Sequence, residues 1–385
     1  MISITVIHLL LLLVAFSSLT ATNFEQFGLK LYSTVSQNKK NENIFLSPAS
    51  ISLAMSMCTV GAQQETLNQM LKTFEVSSRK ELIKTAEQIM HIFSIANQDK
   101  QVQLKLANRL YAQKAYQLQE EYLKIVQNSF KADIKLEDFE NKDVSPETRL
   151  IIINSIYFKG TWIKEFNKNL TNENADFHET NDKISKVALM HQREKFAYAE
   201  DNDLHVQIIH VPYKSENKDI EFVFTVILPN RGVQLDVVEQ KLASQPDSMQ
   251  KLLSHQNTRT EELHLYLPKF KMEATFELSD ILQQLGMKDA FSSYKANFTG
   301  IVNGKNNKDR LYISKVIHKA FIDVNEQGSE AAAATAVIIG IYASINPPPQ
   351  PIEFKADRPF LFFIRESRQN IVLFSGRFIS PPTNS

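Results

Sequence analysis

A single cysteine, Cys58, stands among 385 residues, so no disulfide can form within the chain and its core alone must hold it. Cys58 lies in an apolar helical run, where a cysteine behaves as a small buried hydrophobe rather than a reactive thiol. Neither sign of charge is in excess. The 43 Lys and Arg residues balance 43 Asp and Glu residues, which argues against nucleic acid or another polyanion as partner. Heparin binding is not expected either, because Arg79, Lys80 and Lys84 share their helix with Glu81 and Glu87. Enzyme signatures are missing: there is no G-x-S-x-G, H-E-x-x-H, P-loop or G-x-G-x-x-G. His205 and His210, five apart on an apolar strand, are poorly spaced to share a metal. No metal or other cofactor is expected.

Long apolar runs are confined to the N-terminus. Residues 1–20, MISITVIHLLLLLVAFSSLT, carry no charge and lead into small residues around 17–21. Their apolar core, 7–16, is short for a bilayer span, so residues 1–21 are read as a secretory signal peptide and an extracellular location is expected. No later segment is long enough to cross a membrane as a helix. Two sequons, Asn169-Leu170-Thr171 and Asn297-Phe298-Thr299, are candidate glycosylation sites on such a route.

What remains, 22–385, shows no linker, repeat or low-complexity tract, and is read as one large domain although its length alone would suggest two. Helical spacing dominates early, in FEQFGLKLYSTV, ISLAMSMCTVGA and ELIKTAEQIMHIFSIA, with further helices at 236–254 and 277–288. From Leu150 onward strand patterns prevail: LIIINSIYF, HVQIIHVPY, IEFVFTVILP and ELHLYLPKFKM. FVFTVIL is apolar on both faces, as inside a covered sheet. Helices first and strands later indicate an α+β architecture.

One segment fits neither pattern. Residues 328–343 read GSEAAAATAVIIGIYA: four alanines, strong helix formers, opened by Gly328 and closed by β-branched residues. NPPPQP follows at 346–351 and forbids a continuing helix. Between 331 and 339 the only polar side chain is Thr335.

This segment carries a family resemblance. VIHKAFIDVNEQGSEAAAATA followed by IEFKADRPFLFFI resembles the serpins, protease inhibitors of the suicide-substrate type. NIFLSPASI, LIIINSIYFKGTWIKEF, LYLPKFKM and FSGRFISP extend the resemblance in the same order along the mature chain. The small-residue loop is similar to that of secreted arthropod serpins. The resemblance implies a serpin fold with about three β-sheets and eight to nine helices in a single domain. It also implies an exposed reactive-centre loop at about 326–351, and a monomer is expected. It further implies that a serine protease attacks the loop as bait, and that the cleaved loop then enters the central sheet as a new strand, carrying the acyl-enzyme with it.

The composition of the loop suits that task. As a strand it would place Ser329, Ala331, Ala333, Thr335, Val337 and Ile339 on one face. Glu330, Ala332, Ala334, Ala336 and Ile338 would take the other, wetter face. Small leading side chains can slip between neighbouring strands without overpacking, and Gly328 supplies the turning point. Counting as the family does from Glu326 gives Tyr342–Ala343 as the reactive bond, which suits the hydrophobic slot of chymotrypsin-like serine proteases. No Arg or Lys lies between Gly328 and Phe354, so trypsin-like enzymes lack a handle. Elastase-type cleavage at Ile341 or Ala343 is the competing register, and a serpin that no longer inhibits is the other alternative. By the same resemblance, Ser47, Ser50, Asn154 and His318 form a polar cluster under the opening sheet. Trp162 stands where the loop first enters, and Phe360 packs in the core.

Overall fold

The computed structural model describes residues 23–139, 145, 147–180, 182–254, 257–303, 310–327 and 351–382. The first half is helical around two early strands: α1 (Asn23–Asn38), β1 (Ile44–Leu46), α2 (Pro48–Gly61), α3 (Gln64–Thr73), α4 (Arg79–Gln98), β2 (Val102–Gln113) and α5 (Glu120–Phe130). β3 (Asp133–Glu137), β4 (Leu150–Gly160), β5 (Asn172–His178), β6 (Ile184–Asp201), β7 (Val206–Pro212) and β8 (Phe222–Pro229) follow. Then come α6 (Leu235–Ser244), α7 (Pro246–Leu253), β9 (Arg259–Pro268), β10 (Phe270–Glu277), α8 (Ser279–Gln284), β11 (Ile313–Val324), β12 (Ile352–Lys355), β13 (Phe360–Glu366) and β14 (Ile371–Phe378).

α2 is the axle of the fold. Ser47 caps its N-terminus, accepting from the Ser50 amide, and Pro48 occupies a first-turn position that needs no N–H. Every residue of α2 is buried. Ser52 donates to the Pro48 carbonyl at 2.8 Å and Thr59 to the Met55 carbonyl at 2.9 Å, whereas the buried Ser56 hydroxyl has no hydrogen-bond partner among the described residues. Cys58 is buried on this helix, and desolvation pushes its thiol pKa up, away from reactivity.

The strands form two hydrogen-bonded sheets among the described residues, where about three were expected. A five-stranded sheet runs β10-β11-β4-β2-β3, and a nine-stranded sheet runs β1-β14-β13-β8-β7-β6-β9-β12 with β5 also on β6. The 18-residue β6 accounts for the difference. Residues 184–189 of it pair with β5, 189–198 with β9 and 197–201 with β7, which fuses two sheets into one. The long helix expected at 236–254 is two helices, because Pro246 has no N–H to continue the ladder past Gln245. The helix expected at 277–288 shrinks to α8. Glu277 belongs to β10, and the chain turns at Gly286, whose φ of +125° favours glycine.

The five-stranded sheet contains a parallel pair among its inner strands. β4 and β11 lie side by side in parallel and hydrogen-bond directly to one another, in register from Lys315↔Ile151 to Ile322↔Phe158 after a shift that follows Ile313↔Leu150. One face of this sheet covers α2. On the other face Ile151, Ile153, Ile317 and the stacked pair Tyr157–Phe321, with centroids 5.3 Å apart, are part-exposed. Only residues 138–149 connect β3 to β4, and no helix lies among the described ones. Both ends of that connection are tied to the end of the sheet where β2 finishes and β11 begins: Asp138 pairs with Lys114, and the Arg149 amide donates to Ser314 Oγ at 2.9 Å.

Candidate functional site

Strand register brings three polar side chains into one row beneath the sheet. Asn154 on β4 pairs with Asn108 on β2 and with His318 on β11, all facing α2. Ser50 Oγ donates to Asn154 Oδ1 at 2.9 Å, and Asn154 Nδ2 donates to the Ser50 carbonyl at 3.2 Å and to Asn108 Oδ1. The Ser47 amide donates to His318 Nε2 at 3.1 Å, so Nε2 is unprotonated and Nδ1 carries the proton it gives to Asn154 Oδ1. Ser47 Oγ donates to the Leu373 carbonyl at 2.6 Å, tying the cluster to the nine-stranded sheet. Ser47, Ser50, Asn154 and His318 thus lie in one hydrogen-bonded group beneath the sheet. Asn108 joins them unforeseen, since its strand, with exposed polar residues at alternate positions, did not stand out.

These bonds bridge the β4–β11 seam, and they have a pH signature. Burial lowers the pKa of His318 from 6.5 to about 3. Between those values the unfolded chain binds a proton that the folded one refuses, so this group withdraws stability as pH falls below about 6.5. The slope is about 1.4 kcal/mol per pH unit, or about 2 kcal/mol lost by pH 5. Urea unfolding from pH 7.5 to 5 should show this limb in the native chain. His318→Gln should lack it and be less stable at pH 7.5.

A second set of contacts fixes the end of β11. Glu326 is only 2% exposed, and its carboxylate accepts from Thr171 Oγ1 at 3.0 Å and pairs with Lys269 Nζ at 3.1 Å. Its main-chain carbonyl accepts from the Phe166 amide at 2.8 Å. Burial alone would raise its pKa. Hydrogen bonds from its own amide, Lys269 and Thr171, together with the charge of Lys269, outweigh burial and lower it. Trp162 closes the same corner: Nε1 donates to the Asn325 carbonyl at 2.9 Å, and the ring stacks on Tyr213 at 4.2 Å. The Trp162 amide donates to the Gln327 carbonyl at 3.2 Å, so the chain is pinned up to the last described residue before the alanine-rich segment.

Lys269 and Thr171 were not anticipated as partners of Glu326. Pro268 has no N–H for a ladder, and Lys269 sits at the corner where ELHLYLPKFKM divides between two sheets. Glu326→Lys would set two ammonium groups together in this corner and should cost about 3 kcal/mol of unfolding free energy. Combining it with Lys269→Glu should recover most of that loss in urea titration, and no recovery would show that the pair is not coupled.

Of the remaining expected residues, Gly328, Ser329, Glu330, Ala331, Ala332, Ala333, Ala334, Thr335, Tyr342 and Ala343 lie outside the described residues, as do residues 1–22. Asn169 is exposed and Asn297 half-buried. Phe360 is buried on β13. His205 occupies a turn at φ +54°, whereas His210 is buried on β7 with Nδ1 2.7 Å from Thr225 Oγ1. Among the described residues no group of three His, Cys, Asp or Glu is placed to hold a metal ion, and no helix is long and apolar enough to cross a membrane.

Comparison with known proteins agrees with this geometry. The profile of the family described as "Serpin (serine protease inhibitor)" matches residues 22–144 and 141–381, in two pieces that meet in the short β3–β4 connection. Human leukocyte elastase inhibitor is 34% identical over 393 aligned residues, covering 92% of this chain and 98% of its own. AtSerpin1 of Arabidopsis in its native stressed conformation superposes with a TM-score of 0.82 at 25% identity, covering 94% of this chain and 98% of its own. Serpin48 of the insect Tenebrio molitor superposes at 0.78 with 26% identity, covering 94% and 98%. Members of this family are inhibitors of serine proteases rather than enzymes. The chain belongs to the serpin family.

Proposed function

We propose that this chain is a secreted suicide-substrate inhibitor of chymotrypsin-like serine proteases, cleaved between Tyr342 and Ala343. The observation that carries the reading is the parallel β4–β11 seam with the loop root clamped at its end. A segment leaving β11 and folding back would run antiparallel to both strands, the better-paired arrangement, so the seam can accept a strand on both edges. Small residues lead that segment in sequence, and a tyrosine stands at the expected distance. About ten new ladder hydrogen bonds, at about 1 kcal/mol each, would drive the insertion. Asn154, His318, Ser47 and Ser50 would gate the seam, because their bonds must break or re-form when β4 and β11 part.

Elastase-type cleavage after Ile341 or Ala343 is the second reading, favoured by the name of the human relative at 34% identity. Incubation with chymotrypsin, elastase and trypsin separates the two. The proposal expects an SDS-stable adduct with chymotrypsin and a released C-terminal fragment beginning at Ala343. A fragment beginning at Tyr342 or Ser344, with the adduct on elastase, would instead assign the second register. Clipping by all three without adduct would mean the chain does not inhibit.

A further inference from the structure

Two asparagines sit in N-x-T sequons, and the fold treats them differently. Asn169 lies on the 3-10 turn Lys168–Leu170, exposed between exposed neighbours. The Asn167 side chain supports that turn by accepting from the Asn169 main-chain amide at 3.0 Å. The carboxamide of Asn169 has no hydrogen-bond partner among the described residues. Asn297 is spoken for on every side. Its Nδ2 donates to Gln64 Oε1 at 3.1 Å, and its Oδ1 accepts from Thr299 Oγ1 at 2.8 Å. Its main chain bonds Thr66 Oγ1 at 3.0 Å and the Gln63 amide at 2.8 Å, and Phe298 beside it is buried. A sugar on Asn297 Nδ2 would have to fit beside Gln64 at the start of α3, leaving a single N–H for the bond to Oε1. A sugar on Asn169 would displace nothing.

We infer that Asn169 is the glycan-bearing asparagine of this chain and that Asn297 is left bare. The inference rests on the chain entering a eukaryotic secretory route. There, the Asn169 Nδ2 attacks the anomeric carbon of an oligosaccharide carried on a lipid diphosphate. A C–N bond forms as the C–O bond to the diphosphate breaks; the lipid diphosphate departs, and a base of the transferase takes the amide proton. Thr171, which completes the sequon, donates its hydroxyl in the folded protein to Glu326 Oε1 at 3.0 Å. The glycan therefore stands two residues from the clamp at the loop root. Asn169 takes no part in that clamp, so the modification leaves it intact.

The test expresses the full chain in insect cells behind an added secretion leader, so that entry to the route does not depend on residues 1–21. Peptide N-glycosidase digestion in heavy-oxygen water turns each glycan-bearing asparagine into labelled aspartate, read by mass spectrometry in secreted and cell-retained chain alike. Label at Asn169 alone is expected, with Asn297→Gln migrating as the native chain and Asn169→Gln migrating as the deglycosylated one. Thr171→Ser keeps both the sequon and a hydroxyl for Glu326, and should retain the glycan. Label at Asn297, or its absence from Asn169, overturns the inference. Adduct formation with chymotrypsin by Asn169→Gln, expected to persist, separates this outcome from failure of the inhibitory reading.

Discussion

Replacing Tyr342 with arginine is expected to move inhibition from chymotrypsin to trypsin, with the association rate falling for the first and rising for the second by roughly a hundred- to a thousand-fold each. The size follows from the primary specificity pocket. A hydrophobic slot gains from the buried tyrosine ring and rejects an uncompensated guanidinium, whereas an acidic pocket does the opposite. No Arg or Lys stands between Gly328 and Phe354, so trypsin starts with no handle in this stretch and any gain belongs to the new residue. Progress curves with each protease measure both rates. Unchanged preference would place the reactive bond elsewhere, with Ile341 and Ala343 the next positions to replace.

Ala331→Arg is expected to abolish adduct without slowing cleavage, so that more than nine-tenths of the chain is clipped as substrate. By strand alternation Ala331 shares a face with Ser329 and Ala333, the face that would turn toward α2 as the segment enters the sheet. Every residue of that helix is buried and the core beneath is closely packed, so a guanidinium there meets both overpacking and an unpaired buried charge. Insertion then loses its race against deacylation, while Tyr342 is presented as before. Ala332→Arg, one residue on, would point to the part-exposed face and should keep most of the adduct. Equal behaviour of the two variants would contradict the alternation.

The seam and its chemistry were largely legible in the sequence because they depend on local patterns. INSIYFKG and VIHKAF place Asn154 and His318 on alternating strands, and SPAS sets Ser47 as cap with Ser50 in the first turn. Contacts made by the ends of elements were not legible. Lys269 reaches Glu326 only because β9 and β10 belong to different sheets, which the continuous run ELHLYLPKFKM conceals. Thr171 reads as part of a sequon, and its bond to Glu326 spans a separation no periodicity records. β6 escaped because Arg193, Glu194 and Lys195 interrupt its apolar pattern where strand neighbours are exposed or half-buried. Its length is what merges two expected sheets into one. The α+β architecture survives these omissions, since it rests on the order of helices and strands along the chain.

The central claim is that the β4–β11 seam admits the cleaved loop. The direct measurement is the melting temperature before and after a single cut at Tyr342–Ala343. Insertion adds about ten hydrogen bonds and buries Val337 and Ile339, so the cut chain should melt more than about 15 °C higher than the intact one. A nick that leaves the melting temperature unchanged or lowers it, as cutting an ordinary loop does, would contradict the account.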